Sequence, residues 1–434
     1  MTAAKKSPFV SRRSYRYSLR VFLLLLLTLL TLSVGSTPVY AYSAISYEGE
    51  LDLGDDITFL SQWEISPDGR FLFAYLISGM RVVSFHRDPE TGHLVQVGSL
   101  AVDVNETRGI EMQISDDGHF LYLTGNRLDT IQQIAIDQGS GALSMMNPEA
   151  LRLGPAANIY NLLIQGQNLY VGAGVNTPEE GFGRVYHVRI EPGSGALSLR
   201  DEMIFPRSIN ALFGTPDGRH LYATEIQPHP LTPMNLLHVI DLQAQGFMGD
   251  SRLALEAPFH PLVSKEPAMD AEGKFFYAIG LMDTDPPFSF LLTFERDAET
   301  GLMGYREKRL GLTRFRGEDQ IIPMLDGQMM ASAQRDRVVT FFIHPQNGSV
   351  QELQNNSPEP LYGYRVFITD PENKFLYAAR REGVSLFRIN GLPTAVPQEV
   401  PALSHWAVIA LLFTVGFFGL LCQRFRRRDD EIVL

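Results

Sequence analysis

The sequence is poor in the residues that most often carry chemistry. One cysteine, Cys422, stands in 434 residues, so no disulfide can form within the chain and an exported fold must rely on its core. The ten histidines are His86, His93, His119, His187, His220, His229, His238, His260, His344 and His405. None falls in an HExxH motif, a close pair or a cysteine cluster; they read as turn and edge residues, and the sequence implies neither a metal nor a cofactor. No G-x-S-x-G elbow occurs, since "GSGAL" at 139 and at 193 places its serine in a turn that recurs. Basic residues are scarce in the body. Ten of the 37 Lys and Arg, but only three of the 49 Asp and Glu, lie outside residues 42–400, which leaves 27 bases against 46 acids, a charge of -19. A surface of that sign repels phosphate backbones and excludes nucleic acid as a partner.

What is present is a repeat. "SPDGRFLF" at 66 returns as "SDDGHFLY" at 115, "QGQNLY" at 165, "TPDGRHLY" at 215, "AEGKFFY" at 271, "LDGQMM" at 325 and "PENKFLY" at 371. The turn residues are Gly69, Gly118, Gly166, Gly218, Gly273, Gly327 and Asn373, spaced by 49, 48, 52, 55, 54 and 46. Gly and Asn tolerate the left-handed backbone of a tight hairpin. A second turn follows in most copies, ending at Gly92, Gly141, Gly195, Gly301 and Gly348, with a degenerate form at Gly246. The flanks, such as "RVVSFHR" and "FLLTFER", are β-branched and aromatic. Two hairpins per period make four antiparallel strands, the unit of a propeller blade, and no heptad or 3.6-residue pattern supports a helical repeat. The fold class predicted is all-β: a seven-bladed β-propeller of four-stranded blades over residues 42–392. The seventh copy ends in "GLPTAVPQEVP", whose prolines cannot build a regular outer strand, so residues 43–53 are expected to supply it and close the ring.

The ends predict a location. Residues 1–41 combine Lys5, Lys6, Arg12, Arg13, Arg16 and Arg20 with an apolar run and Val39-Tyr40-Ala41, the features of a secretory signal peptide cleaved after Ala41. A Pro-rich linker at 393–405 leads to an apolar segment at 406–423 and a tail at 424–434 with Arg424, Arg426, Arg427 and Arg428. That order predicts a single transmembrane helix with its tail in the cytoplasm and its body exported to the periplasm or cell surface. Pro401, Leu403, Ser404 and Trp406 resemble the IPTL-CTERM sorting signal, a relative of PEP-CTERM, although Val400, Ala402 and Ala407 depart from it. The resemblance implies an exosortase-type processing enzyme as a partner in a bacterial envelope.

The cadence "SPDGRFLF…SFHRDPETGHL", repeated over residues 57–390, resembles the lactonase-type seven-bladed propellers that include 6-phosphogluconolactonase. That resemblance implies a channel histidine seven residues before the turn glycine in enzymatic members, and no copy here has it. The places seven residues before the turn glycine hold Gln62, Glu111, Glu266 and Gln320; with allowance for a shift in register, Asn161, Asn210 and Arg365 fill the other blades. Glu111 and Glu266 are a candidate carboxylate pair with Arg365 holding an anionic substrate, chemistry suited to a lactone. A second candidate region is a rim of long loops in blades 3 to 5, carrying Glu179, Glu180, Phe182, His229, Asp283, Asp285 and Phe288. The sequence reading favours a non-enzymatic module that binds an envelope protein, polymer or small ligand; its alternative is a periplasmic lactonase-type hydrolase or isomerase acting on a sugar acid or lactone.

Overall fold

A computed structural model describes residues 44–53, 60–104, 109–125, 128–146, 151–154, 157–176, 181–225, 236–255, 267–282, 288–309, 321–334, 337–353, 366–380 and 383–392. The chain divides into two compact units, Met1–Gly391 and Leu392–Leu434, and every described strand belongs to the first. The expected signal peptide, linker, sorting motif, apolar segment and tail lie outside the described residues. Among the described residues, no helix is long and apolar enough to cross a membrane.

The described strands form seven antiparallel sheets, one for each copy of the repeat. Blade 1 runs Leu60–Ile65, Phe71–Leu76, Arg81–Arg87 and Leu94–Ala101. Its first strand lies against the first strands of blades 2 and 7, so first strands are innermost. In blade 2 the outer strand is split into Leu143–Met145 and Leu151–Arg152, both paired with Thr130–Ile136. Blade 3 has the longest strands, Ala157–Gln165, Asn168–Asn176, Gly181–Ile190 and Leu197–Phe205; blade 4 follows with Ile209–Gly214, His220–Glu225, Leu237–Leu242 and Met248–Leu253.

The turn chemistry explains the hairpins. Gly69 has φ +70°, and Asn373, which stands in the same place in the seventh copy, has φ +53°. Both occupy the left-handed region, where asparagine is one of the few side chains that is tolerated. Second strands are buried along their whole length in blades 1, 2 and 4, because both faces of each sheet are covered by neighbouring blades. The apolar clusters therefore sit in the seams. Phe375, Tyr377 and Leu386 of blade 7 pack with Trp63, Leu72 and Phe85 of blade 1, and Tyr170 and Val185 of blade 3 pack with Leu212, Leu221 and Ile240 of blade 4.

Tyrosines add a directional lock to these seams. The last residue of the "FLY" motif donates its hydroxyl to the second-turn glycine carbonyl of the following blade: Tyr122 to Gly195, Tyr170 to Gly246, Tyr222 to Gly301, Tyr277 to Gly348 and Tyr377 to Gly92. Blade 1 has Phe73 in this place and blade 6 has Ala331. Blade 6 faces a blade whose outer strand is not continuous with its third, and so has no second-turn glycine to meet.

That outer strand comes from the other end of the propeller. Ile45–Leu51 pairs antiparallel with Gly383–Ile389, from Ile45 opposite Ile389 to Leu51 opposite Val384. Asn390 donates its backbone N–H to the Ala44 carbonyl at 3.0 Å, and the Ser385 hydroxyl reaches Glu50 at 2.7 Å.

Candidate functional site

Four of the seven inner-strand candidates lie among the described residues. Gln62 is half-buried opposite Tyr75, and Glu111 is buried opposite Thr124 at 7% exposure. Asn161 holds the same register opposite Gly172, but its Oδ1 accepts the backbone N–H of Leu212 at 3.1 Å, so it spans the blade 3/4 seam. Asn210 departs from the register. The pairing of blade 4 shifts between Ile209 and Ala211, which leaves Asn210 in a bulge while Ala211 takes the place opposite Thr224. Blades 1 and 3 carry the same irregularity at Ser61 and Tyr160, so Ala211, seven residues before Gly218, is the counterpart of Gln62. Glu266, Gln320 and Arg365 lie outside the described residues, so the Glu111, Glu266 and Arg365 constellation is seen only through Glu111.

The rim candidates are likewise divided. Glu179, Glu180, His229, Asp283 and Asp285 fall outside the described residues, and Phe288 heads a strand but its side chain is not described. Phe182 lies within a strand opposite Val175, with the Arg184 guanidinium 5.0 Å from its ring. Most of the extra length in blade 3 is thus hydrogen-bonded hairpin rather than loop.

The histidines depart further from the sequence reading. His187 is 1% exposed, stacked on Tyr170 with its Nε2 2.9 Å from Asn168 Oδ1, and burial holds its basicity below the usual range. His220 is buried beside Arg296, whose Nη1 is 3.0 Å from Nδ1; burial first, and then that guanidinium, disfavour the imidazolium. Both have structural work in seams, not at edges.

His238 has a different neighbour. It is the second residue of the third strand of blade 4, and its Nε2 lies 3.5 Å from Oε1 of Glu225, the last residue of the second strand. Glu225 is 0% exposed, and neither carboxylate oxygen has a hydrogen-bond partner among the described residues; His238 Nε2 has none either. The backbone around the pair is fixed by Glu225 N–H to the Leu236 carbonyl at 3.0 Å and by Ala223 opposite His238. Phe205, at the end of blade 3, sets its ring edge-on to His238 at 5.1 Å. Two positions of blade 3 are glycine where its sheet meets the following connector: a Cβ at Gly183 would fall 1.9 Å from the Arg207 carbonyl, and one at Gly174 would collide with Ser208. Glycine there lets the connector 206–208 lie directly on the blade 3 sheet.

The sequence carries a signal for Glu225 in the repeat itself. The sixth place of the second strand is Leu76, Gly125 and Ala173 in the first three blades, and an acid in a run otherwise buried has no hydrophobic reason to be there. Among the described residues, no group of three or more histidine, cysteine or acidic side chains is arranged to hold a metal.

Residues 41–155 match the family described as "Lactonase, 7-bladed beta-propeller". The described fold as a whole is a seven-bladed β-propeller. Solved structures similar to the chain include a candidate 6-phosphogluconolactonase from Bacteroides uniformis, at 18% identity and a TM-score of 0.55, covering 71% of this chain and 87% of that one. The periplasmic gluconolactonase of Pseudomonas aeruginosa is similar at 17% identity and a TM-score of 0.51, over 73% and 96% of the two chains. Hydrazine synthase of Kuenenia stuttgartiensis is similar at 16% identity and 0.56, over 78% and 98%, so the architecture serves more than one chemistry. No curated protein matches the sequence.

Proposed function

We propose that the propeller hydrolyses a lactone of a sugar acid on the face opposite its glycine turns, with Glu225 as general base. The observation that carries this reading is a carboxylate enclosed in the blade 3/4 seam with both oxygens free of partners among the described residues. A buried carboxylate left unsatisfied costs free energy that a purely structural site has no reason to retain, and such groups concentrate where proton transfer occurs. The lactonase match and the gluconolactonase-like neighbours support the same reaction class.

In the proposed reaction a water oxygen bonds to the lactone carbonyl carbon while Glu225 accepts the proton that the water loses. The tetrahedral intermediate then breaks its ring C–O bond, and the departing alkoxide takes the proton back from Glu225. Lactone and water become a hydroxy acid, and the carboxylate is restored for the next turnover. Glu225 is closed to solvent, so the reading requires the mouth of the seam to open for substrate.

The test is proton release from glucono-δ-lactone and its 6-phosphate by the full chain purified in detergent. Turnover above the spontaneous rate is expected, with Glu225→Gln lowering kcat by about 10²- to 10⁴-fold. Hydrolysis no faster than the uncatalysed rate across a panel of aldonolactones would overturn the proposal. The missing inner-strand histidine favours a second reading, a non-enzymatic envelope binding module; the same assay separates the two.

We also propose that the body is exported, that the apolar segment 406–423 anchors it and that an exosortase-type enzyme reads Pro401, Leu403, Ser404 and Trp406. The support is the order of motif, apolar run and arginines. A mature mass that begins at residue 42 is expected, and one that retains residues 1–41 would remove the signal peptide from this picture.

A further inference from the structure

We propose that His238 is the positioning residue of Glu225, holding Oε1 so that Oε2 is presented to the attacking water. The inference rests on the reading of Glu225 as general base. Three elements converge to set the geometry. Strand pairing places Thr224 opposite Leu237 and Ala223 opposite His238, which puts the imidazole diagonal to Glu225 on the same face of blade 4. Phe205 of blade 3 contacts the ring edge-on, and the Ala254 N–H binds the Leu237 carbonyl at 2.7 Å, fixing the backbone that carries the histidine.

Among the described residues, His238 is the one cation-capable side chain in ion-pair range of this carboxylate. Apolar side chains pack in the same seam, with Ile209, Leu221, Ala223 and Val185 all buried. A glutamate side chain has three rotatable bonds, so a carboxylate with no fixed partner would not keep one oxygen aimed at substrate. The 3.5 Å separation between Nε2 and Oε1 is at the long end for a hydrogen bond. Contacts of this kind shorten when substrate binds, so the pair is poised rather than formed. Misplacement of a base by about 1 Å is enough to cost on the order of 10²-fold in rate, which gives the positioning its leverage.

The test compares His238→Phe and His238→Gln with Glu225→Gln in the full chain. Phenylalanine keeps a ring against Phe205 and removes the nitrogen; glutamine returns an N–H near the same place. For His238→Phe, kcat is expected to fall roughly 10- to 100-fold with KM within about twofold and an unchanged thermal midpoint, and His238→Gln is expected to recover part of the loss. A His238→Phe variant with wild-type kcat, beside an inactive Glu225→Gln, would overturn the positioning role and leave the base in place. Full activity in Glu225→Gln would instead sink the base. A second readout needs no substrate: the ring ¹⁵N resonances of His238 should move in Glu225→Gln, and their identity in the two proteins would overturn the pairing whatever the activity.

Discussion

Arg87 Nη1 meets Asp370 Oδ2 at 2.9 Å, joining blade 1 to blade 7 through two side chains that are 1% and 0% exposed. The same guanidinium donates Nη2 to Glu372 at 2.8 Å and Nε to the Gly69 carbonyl. Blade 5 repeats the device toward blade 4, where Arg296 donates Nε to the Gly273 carbonyl at 2.5 Å and Nη2 to Asp217 at 2.8 Å. Two of the blade seams are thus pinned by a buried arginine at the end of a third strand, and one of these is the seam beside the ring closure.

Replacing Arg87 by methionine should destabilise the fold by about 3–5 kcal/mol, because it leaves the Asp370 carboxylate buried without its counter-charge. Burial already raises the Asp370 carboxyl above the usual range, while backbone N–H donors and Arg87 oppose it. Loss of Arg87 raises it further. A raised carboxyl favours the folded state below the unfolded value and loses that advantage as pH rises, so the deficit of Arg87→Met should widen with pH. Urea midpoints measured from pH 4 to pH 8 check this, and a constant deficit would contradict it.

Asp217 predicts the opposite sign. Burial works against its ionised form, but the Thr215 hydroxyl, the Arg296 guanidinium and the Arg219 N–H together hold its carboxyl down to about 2. A depressed carboxyl contributes stability above the unfolded value of 3.8 and loses it as pH falls through the folded value. Asp217→Asn should therefore be less stable than the parent near neutrality. The difference should shrink as the pH drops from about 4 toward about 2, followed by thermal or urea unfolding.

The tyrosine lock predicts a graded cost. Tyr122→Phe and Tyr222→Phe each remove a hydroxyl whose partner is a glycine carbonyl of the next blade, and each should cost about 1 kcal/mol. Double replacement should be nearly additive, because the two hydrogen bonds sit in different seams. Unfolding free energies within error of the parent would show that water replaces the hydroxyl.

Removal of residues 43–53 deletes the strand Ile45–Leu51 and exposes the Gly383–Ile389 edge. Such an unpaired edge is also a site for association. The thermal midpoint should fall by many degrees, with aggregation at lower temperature, whereas unchanged melting of the shortened chain would mean that the pairing contributes little.

The repeat was legible because turn chemistry is local. Gly69, Asn373 and their counterparts need a particular backbone conformation, and the chain must spell that requirement in place, so counting turns yields seven sheets. The missing seventh outer strand was legible for the same reason, since proline removes a donor wherever it stands. Inner-strand side chains were legible only in part. Gln62 and Glu111 keep the register that spacing predicts, whereas Asn210 stands eight residues before Gly218 and falls in the bulge, and Ala211, seven before it, takes the inner place.

The sequence by itself therefore determined the number of blades, their hairpins and the supply of a closing strand, all of which follow from backbone preferences within a few residues. Only the tertiary structure decided which polar groups lie in seams. His187 and His220 become buried, Asn161 turns to a neighbouring blade, and Tyr377 finds Gly92 across 285 residues. Burial and partner are properties of the packed neighbour, and blade-to-blade contact joins residues about fifty or several hundred positions apart. No window along the chain contains both sides of such a contact, so its chemistry exists only once the ring has closed.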